Sequence, residues 1–184
     1  VYVFIIVIYG SFLLELVLWP VPSEASTLHL LKKWKSNTFL FNLLYILIFS
    51  FNFIFSLAPL VISIYSLVTQ KIYEIYPMFY TGIIFSLSGR ILSLKGAILL
   101  NHRRDQGLIT DSIFKWGRNP ISLGLYITFL GIVMILPDLW LIAGWIGFVA
   151  GMDYKISIEE KTMKLKFGNN YDIYQKSTPK YFLI

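Results

Sequence analysis

The sequence predicts an all-α protein that crosses a membrane about five times and ends in a partly helical cytoplasmic tail. Three observations lead there. The chain has 184 residues, is 57% hydrophobic and 17% aromatic, and has a mean hydropathy of +0.68. Its apolar residues come in runs of about twenty, the length that crosses a bilayer core, rather than in the short periodic groups of a soluble domain. Its basic residues gather between those runs. One domain over residues 1–184 follows, with no internal repeat and no low-complexity linker. The net charge of +6 is read as the cytoplasmic excess of Lys and Arg rather than as a nucleic-acid footprint. Cysteine is absent, which excludes disulfide and thiolate chemistry. His29 and His102 stand far apart in no metal-ligand spacing, so no metal is expected.

The first run, residues 1–19, ends at Pro20-Val21-Pro22 and carries Glu15 near the interface. Val1 lies inside the run, which reads as a first span rather than a signal peptide. Residues 23–38 form a polar loop with Lys32, Lys33 and Lys35. The second run, 39–68, exceeds what one perpendicular span needs. Pro59 can bend it, and Asn42 and Asn52 can bond to neighbouring helices. A link over 69–76 leads to Pro77, suited to a first helical turn, and to a third run reaching about residue 94, interrupted at Gly89-Arg90. Residues 96–100 are apolar enough to prolong it. A mixed, basic segment, 95–117, centres on His102-Arg103-Arg104-Asp105. The fourth run, 120–136, turns at Pro137-Asp138 into a fifth, 139–158, and a charged tail follows from Glu159. With five spans, thirteen of the sixteen Lys and Arg fall on one side, leaving Lys71 opposite and Arg90 and Lys155 inside spans. That side is cytoplasmic and the N-terminus is outside.

The fourth and fifth runs form a hairpin that brings distant residues to one depth. From Asn119 to the turn is 18 residues and from the turn to Glu159 is 21, roughly 27 and 32 Å of helix. Asn119 and Glu159 are thus expected at the same interface on neighbouring helices. Pro120 can begin the fourth helix with Asn119 as its N-cap, and the free N–H groups of a helix start suit a carboxylate. Glu159 and Glu160 suit an ammonium or a sulfonium. Two readings stand: a site for a small zwitterion, or a capped helix start beside a solvated acidic pair.

Residues 108–124 read Leu-Ile-Thr-Asp-Ser-Ile-Phe-Lys-Trp-Gly-Arg-Asn-Pro-Ile-Ser-Leu-Gly. This resembles the Leu-Val-Thr-x-Gly-Pro-Tyr-x-x-x-Arg-His-Pro-x-Tyr-x-Gly segment of the isoprenylcysteine carboxyl methyltransferase family. The tail, with Glu159-Glu160, Met163, Phe167-Gly168, Tyr171, Tyr174 and Pro179, is similar to that family's Glu-Glu-x-x-Leu-x-x-x-Phe-Gly-x-x-Tyr-x-x-Tyr-x-x-x-x-Pro. The resemblance covers roughly residues 77–182 and keeps the order and spacing of both motifs. It implies an integral membrane enzyme that transfers a methyl group from S-adenosylmethionine to a prenylcysteine-type carboxylate, with membrane lipid or a lipidated substrate as partner. It also implies that Leu108, Ile109, Phe114, Asn119, Pro120, Gly124, Glu159, Glu160, Tyr171 and Tyr174 bind the cofactor, with the two tyrosines closing the tail over it. The family's His is Asn119 here, its next Tyr is Ser122, its Gly-Pro is Ser112-Ile113 and its earlier Tyr is Phe114.

A carboxylate acceptor is ionised at pH 7 and needs no base, but an arginine can orient it by paired hydrogen bonds. Arg90, Arg118, Arg103 and Arg104 are the candidates, and Arg90, Arg118 and Glu159 are taken as the catalytic set. A charge within a span faces a cavity or partner, or else snorkels to the interface, and Arg90 admits both. His102-Arg103-Arg104 reads rather as a lipid-headgroup patch. Two other functions remain: phospholipid N-methyl transfer, whose amine acceptor must lose a proton, and a non-catalytic membrane subunit or lipid-binding protein that keeps the scaffold.

Overall fold

The computed structural model describes residues 1–18, 39–69, 77–103 and 106–182. Among the described residues there are six α-helices, one 3-10 turn and no strand. The loop at 23–38 with its three lysines, the Pro20-Val21-Pro22 stop, most of the 69–76 link and Arg104-Asp105 lie outside the described residues, as do the side chains of Asn42 and Asn52. The chain divides into two compact units, Val1–Ile72 and Tyr73–Ile184.

The first unit is a helix pair, α1 (Tyr2–Leu18) and α2 (Phe39–Val68). α2 runs through Pro59 without ending. The Tyr9 hydroxyl donates to the Ser56 carbonyl and ties the two helices. In an apolar surrounding a phenol needs such a partner.

The second unit holds α3 (Met78–His102), a 3-10 turn (Ser112–Lys115), α4 (Pro120–Ile135), α5 (Leu139–Phe167) and α6 (Asn169–Ser177). Two of these, α3 and α5, are long and apolar enough to cross a membrane; Tyr2–Glu15, Ile54–Val68 and Pro120–Ile135 are shorter apolar stretches among the described residues. α3 and α4 lie antiparallel, with Gly82 beside Gly131 and Gly96 beside Ile121. Small residues recur along α3 as Gly82, Ser86, Gly89, Ser93 and Gly96, all buried, a spacing that keeps them on one face. The approach is close enough that a Cβ added at Gly89 would stand 2.5 Å from the Gly124 carbonyl oxygen and the Thr128 nitrogen. Lipid offers no hydrophobic drive between helices, so backbone proximity and hydrogen bonds do the joining. Here Ser86 Oγ of α3 donates to the Thr128 carbonyl of α4 at 3.2 Å, while Thr128 Oγ1 is satisfied within α4 by the Gly124 carbonyl at 2.7 Å. The apparent interruption at Gly89-Arg90 is therefore a contact point within one continuous helix.

The α4–α5 hairpin turns where the sequence places it. Asp138 caps α5 by accepting from the Trp140 N–H at 2.8 Å. Along the hairpin, Phe148 meets Phe129 and Tyr126 edge-on at 5.0 and 6.1 Å. α5 does not stop near residue 158 but continues to Phe167. The residues after Glu159 are mostly good helix formers, Lys164 and Lys166 favour the negative end of the helix, and Gly168, at φ 55° and ψ −130°, provides the stop.

Candidate functional site

The site is built where α4 begins. Asn119 occupies the N-cap position, but its side chain makes no cap bond. Its Nδ2 instead donates to Glu160 Oε1 at 3.1 Å and to the Lys180 carbonyl at 3.3 Å. The preceding N–H groups are also taken: Arg118 N donates to the Pro179 carbonyl at 3.0 Å and Asn119 N to that of Lys180 at 3.2 Å. The chain's last described residues thus lie as a strap across the helix start.

Arg118 is the hub. Its Nε and Nη2 grip the two oxygens of Glu160 at 3.0 and 3.3 Å. Its Nη1 donates to the Gln175 carbonyl at 3.0 Å and to that of Thr178. The side chains are only 9% and 14% exposed, so this fork pair sits in a setting where hydrogen bonds to charge are strong. Gln175 Nε2 adds a contact to Glu160 Oε2 at 3.5 Å. Glu160, not Glu159, is therefore the residue that closes with Asn119. Neighbouring helical residues project about 100° apart, so Glu159 points elsewhere and pairs with Lys155 on its own helix at 3.2 Å. Glu159 remains about one-third exposed.

α6 covers the hub. Tyr171 and Tyr174 are buried and meet edge-on at 6.1 Å. Tyr174 donates its hydroxyl to the Phe114 carbonyl at 2.7 Å, fixing α6 against the 3-10 turn. Burial first, and the Glu160 charge next, push the Tyr171 hydroxyl up to about 12, with Arg118 opposing. Burial likewise raises Tyr174. Both stay neutral, and Tyr174 acts as a donor.

The loop that leads into the turn has its own constraints. Ser112 adopts φ 56°, where a side chain is strained and glycine is at ease, and it stands where the resembling motif has its Gly. Phe114 is buried beneath the turn. Leu108 and Ile109 are half-buried in the segment before it. Arg103, a candidate for orienting the acceptor, is held by Asp111 at 2.7 and 2.5 Å; those hydrogen bonds hold the Asp111 carboxyl below its usual range. Gly117 is packed against the Phe182 ring, whose Cδ1 lies 2.5 Å from where a Cβ would be.

Three sequence-derived site residues sit deeper. Pro120 is fully buried at the start of α4. Gly124 faces Gly89 and Ser93 in the α3–α4 contact. Arg90 lies midway along α3, is 3% exposed, and donates from Nη1 to Ser93 Oγ at 3.1 Å. It is held within the protein rather than extended to the interface.

A further polar cluster was not expected. Asp153 Oδ1 accepts from Lys180 Nζ at 2.5 Å and from the Tyr181 hydroxyl at 2.7 Å. Lys180 Nζ also reaches Ser157 Oγ at 3.4 Å and the Asp153 carbonyl at 3.5 Å. Tyr181 and Tyr126 share a hydroxyl contact of 3.2 Å. Burial, followed by those two partners, pushes the Tyr181 hydroxyl far above its ordinary value. One sequence signal pointed here: Asp153 is the single carboxylate of the fifth apolar run, and a charge inside a span marks a special position.

A family model described as phospholipid methyltransferase matches residues 72–170. No curated protein and no solved structure matches the chain. The matched stretch is more than half of the sequence and contains both Arg118-Asn119-Pro120 and Glu159-Glu160, the two elements that the hairpin brings together, and the chain belongs to the phospholipid methyltransferase family.

Proposed function

We propose that the protein is a membrane-embedded, S-adenosylmethionine-dependent methyltransferase that modifies a lipid-linked acceptor at the cytoplasmic mouth of the α4–α5 hairpin. The observation that carries this is the junction of the two motif stretches, in which Arg118 and Asn119 bond to Glu160 across some forty residues of chain. The topology that goes with it has five spans, the N-terminus outside and the tail in the cytoplasm, as the placement of Lys and Arg favours.

The residues at the junction fit a cationic cofactor in part. Glu160 is committed to Arg118, Asn119 and Gln175, so its role is to position the helix start and the strap. Glu159, paired with the flexible Lys155 side chain at a partly exposed position, is the carboxylate more open to an ammonium or sulfonium, and its charge reaches the Tyr171 hydroxyl. Phe114, with Leu108 and Ile109 ahead of it, supplies apolar surface and backbone polar groups. Tyr171 and Tyr174 close the cytoplasmic side. When bound, the cofactor supplies an electrophilic methyl carbon with its own leaving group. The protein's share is to exclude water and align the acceptor with that carbon. Arg118 acts through the strap as a positioning residue, which leaves Arg90 as the guanidinium to orient an anionic acceptor group.

The acceptor is either a prenylcysteine-type carboxylate or a phospholipid amine. The first follows from the motif resemblance and needs no base. The description of the matched family favours the second, and Asp153 provides a carboxylate near the hairpin mouth for the proton an amine must lose. The test is methyl transfer from labelled cofactor to vesicles carrying each acceptor. Methyl esters release labelled methanol in mild base, whereas N-methyl groups do not. Absence of cofactor binding to detergent-solubilised protein, together with an unaltered Glu159→Ala variant, would leave only a non-catalytic membrane subunit.

A further inference from the structure

The strap reaches α5 at three points on one face. Asp153, Ser157 and Glu160 are spaced i, i+4 and i+7, which aligns them along a single side of the helix. Glu160 is joined to the strap through Arg118 and Asn119, whereas Asp153 and Ser157 hold the Lys180 side chain itself. The two anchorages differ in character. The Arg118–Glu160 pair is enclosed, but the Lys180 and Asp153 side chains are 26% and 45% exposed.

We infer that Asp153, Ser157 and the hydroxyls of Tyr126 and Tyr181 form a subsite for an alkylammonium group, and that Lys180 is an internal occupant which must leave before a ligand enters. This rests on the methyltransferase reading only for the identity of the ligand. The Lys180 ammonium already shows what the subsite accepts: a carboxylate at 2.5 Å, a hydroxyl at 3.4 Å and the Tyr181 ring with its centroid 5.6 Å away. A carboxylate, hydroxyls and an aromatic face are the groups that recognise an organic cation. Tyr126 belongs to α4 and Asp153 to α5, so the subsite lies between the hairpin helices, about two helical turns from Glu159. Release needs no unfolding of the strap. The Lys180 carbonyl stays bonded to Asn119 while the flexible side chain swings out, and an ion pair this exposed resists by no more than about fivefold.

The ammonium can come from the amine headgroup of a phospholipid or from the amino group of the cofactor. Lys180→Gln removes the internal cation and keeps its length, while Asp153→Asn removes the acceptor charge. We expect Lys180→Gln to tighten either the Kd for S-adenosylmethionine or the KM for ethanolamine-headgroup lipid in vesicles by about threefold to fivefold. Whichever constant moves names the source. Asp153→Asn should weaken that same constant. A Lys180 with a purely structural role would give the opposite sign, since Lys180→Gln would then weaken binding together with stability. Unchanged or weakened constants in Lys180→Gln overturn the inference and leave methyl transfer intact. If the wild type binds no cofactor and transfers no methyl, the functional reading fails, and titration with ethylammonium at constant ionic strength decides the subsite alone. Shifts of a fluorine-labelled Tyr181 in Lys180→Gln that vanish in the double variant with Asp153→Asn support it, and their absence overturns it.

Discussion

Replacing Arg118 by alanine removes four hydrogen bonds at once: two to Glu160 and one each to the Gln175 and Thr178 carbonyls. The Glu160 carboxylate stays behind, 14% exposed, with Asn119 at 3.1 Å and Gln175 at 3.5 Å as its remaining partners. Removing one member of an enclosed ion pair costs about 3–5 kcal/mol, because the survivor keeps its desolvation penalty. Asn119 softens that penalty, which places Arg118→Ala at about 3 kcal/mol. The measurement is unfolding in mixed detergent and SDS micelles followed by tryptophan fluorescence. Exposed Trp116 stands two residues from the hub and reports on it. A double variant, Arg118→Met with Glu160→Met, leaves no charge stranded and should recover more than half of that loss. A cost below about 1 kcal/mol for Arg118→Ala, the range of an exposed pair, would refute the enclosed-hub argument. Strict additivity of the two methionine substitutions would refute it equally.

Glu159→Gln should do the reverse of a hub substitution. Its pair with Lys155 is about one-third exposed, so stability changes by less than about 1 kcal/mol, while the Kd for S-adenosylmethionine by calorimetry rises about tenfold, a typical loss for one charge-assisted hydrogen bond. Ser112→Gly relieves a left-handed backbone, φ 56°, and should stabilise the second unit by about 0.5–1 kcal/mol in the same unfolding assay. Tyr171 supplies a pH dependence. Its hydroxyl titrates near 12 in the fold against about 10 in the unfolded chain. The unfolded state therefore loses its proton first, and stability present below pH 10 should fall as the pH rises towards 12. Absorbance at the tyrosinate band, compared with Tyr171→Phe, isolates that contribution.

Position along each helix axis was legible in the sequence, and direction around each helix was not. α2 begins and ends where its apolar run does, at Phe39 and Val68, because polar chain flanks it on both sides. The hairpin arithmetic correctly put Asn119 level with the Glu159-Glu160 pair, since rise per residue is constant. It named Glu159 as the neighbour, whereas Glu160 faces Asn119. One residue of difference in register turns a side chain by about 100°, and depth alone does not fix that angle. The end of α5 was misplaced for another reason. Hydropathy changes near Glu159, but the helix goes on through Lys161, Lys164 and Lys166 until Gly168 stops it. Asn119 was placed correctly as the residue before the helix, yet its side chain serves the strap, a contact with residues some sixty positions away. The Asp153 cluster was hidden likewise, because it exists only once the tail folds back.

The seam between α3 and α4 has a mechanical consequence. With Gly89 and Gly124 each lying where the other's side chain would begin, the two helices have no slack to slide or separate without losing contact along their whole length. They behave as one plank. Under the proposed function, admission of a ligand to the hairpin mouth falls to the other jaw, made of α5, α6 and the strap. That jaw is fastened to the plank by polar clasps near residues 118 and 126 and by aromatic edges such as Phe129 against Phe148. Opening is thus a matter of undoing a few clasps on one side of a fixed wall.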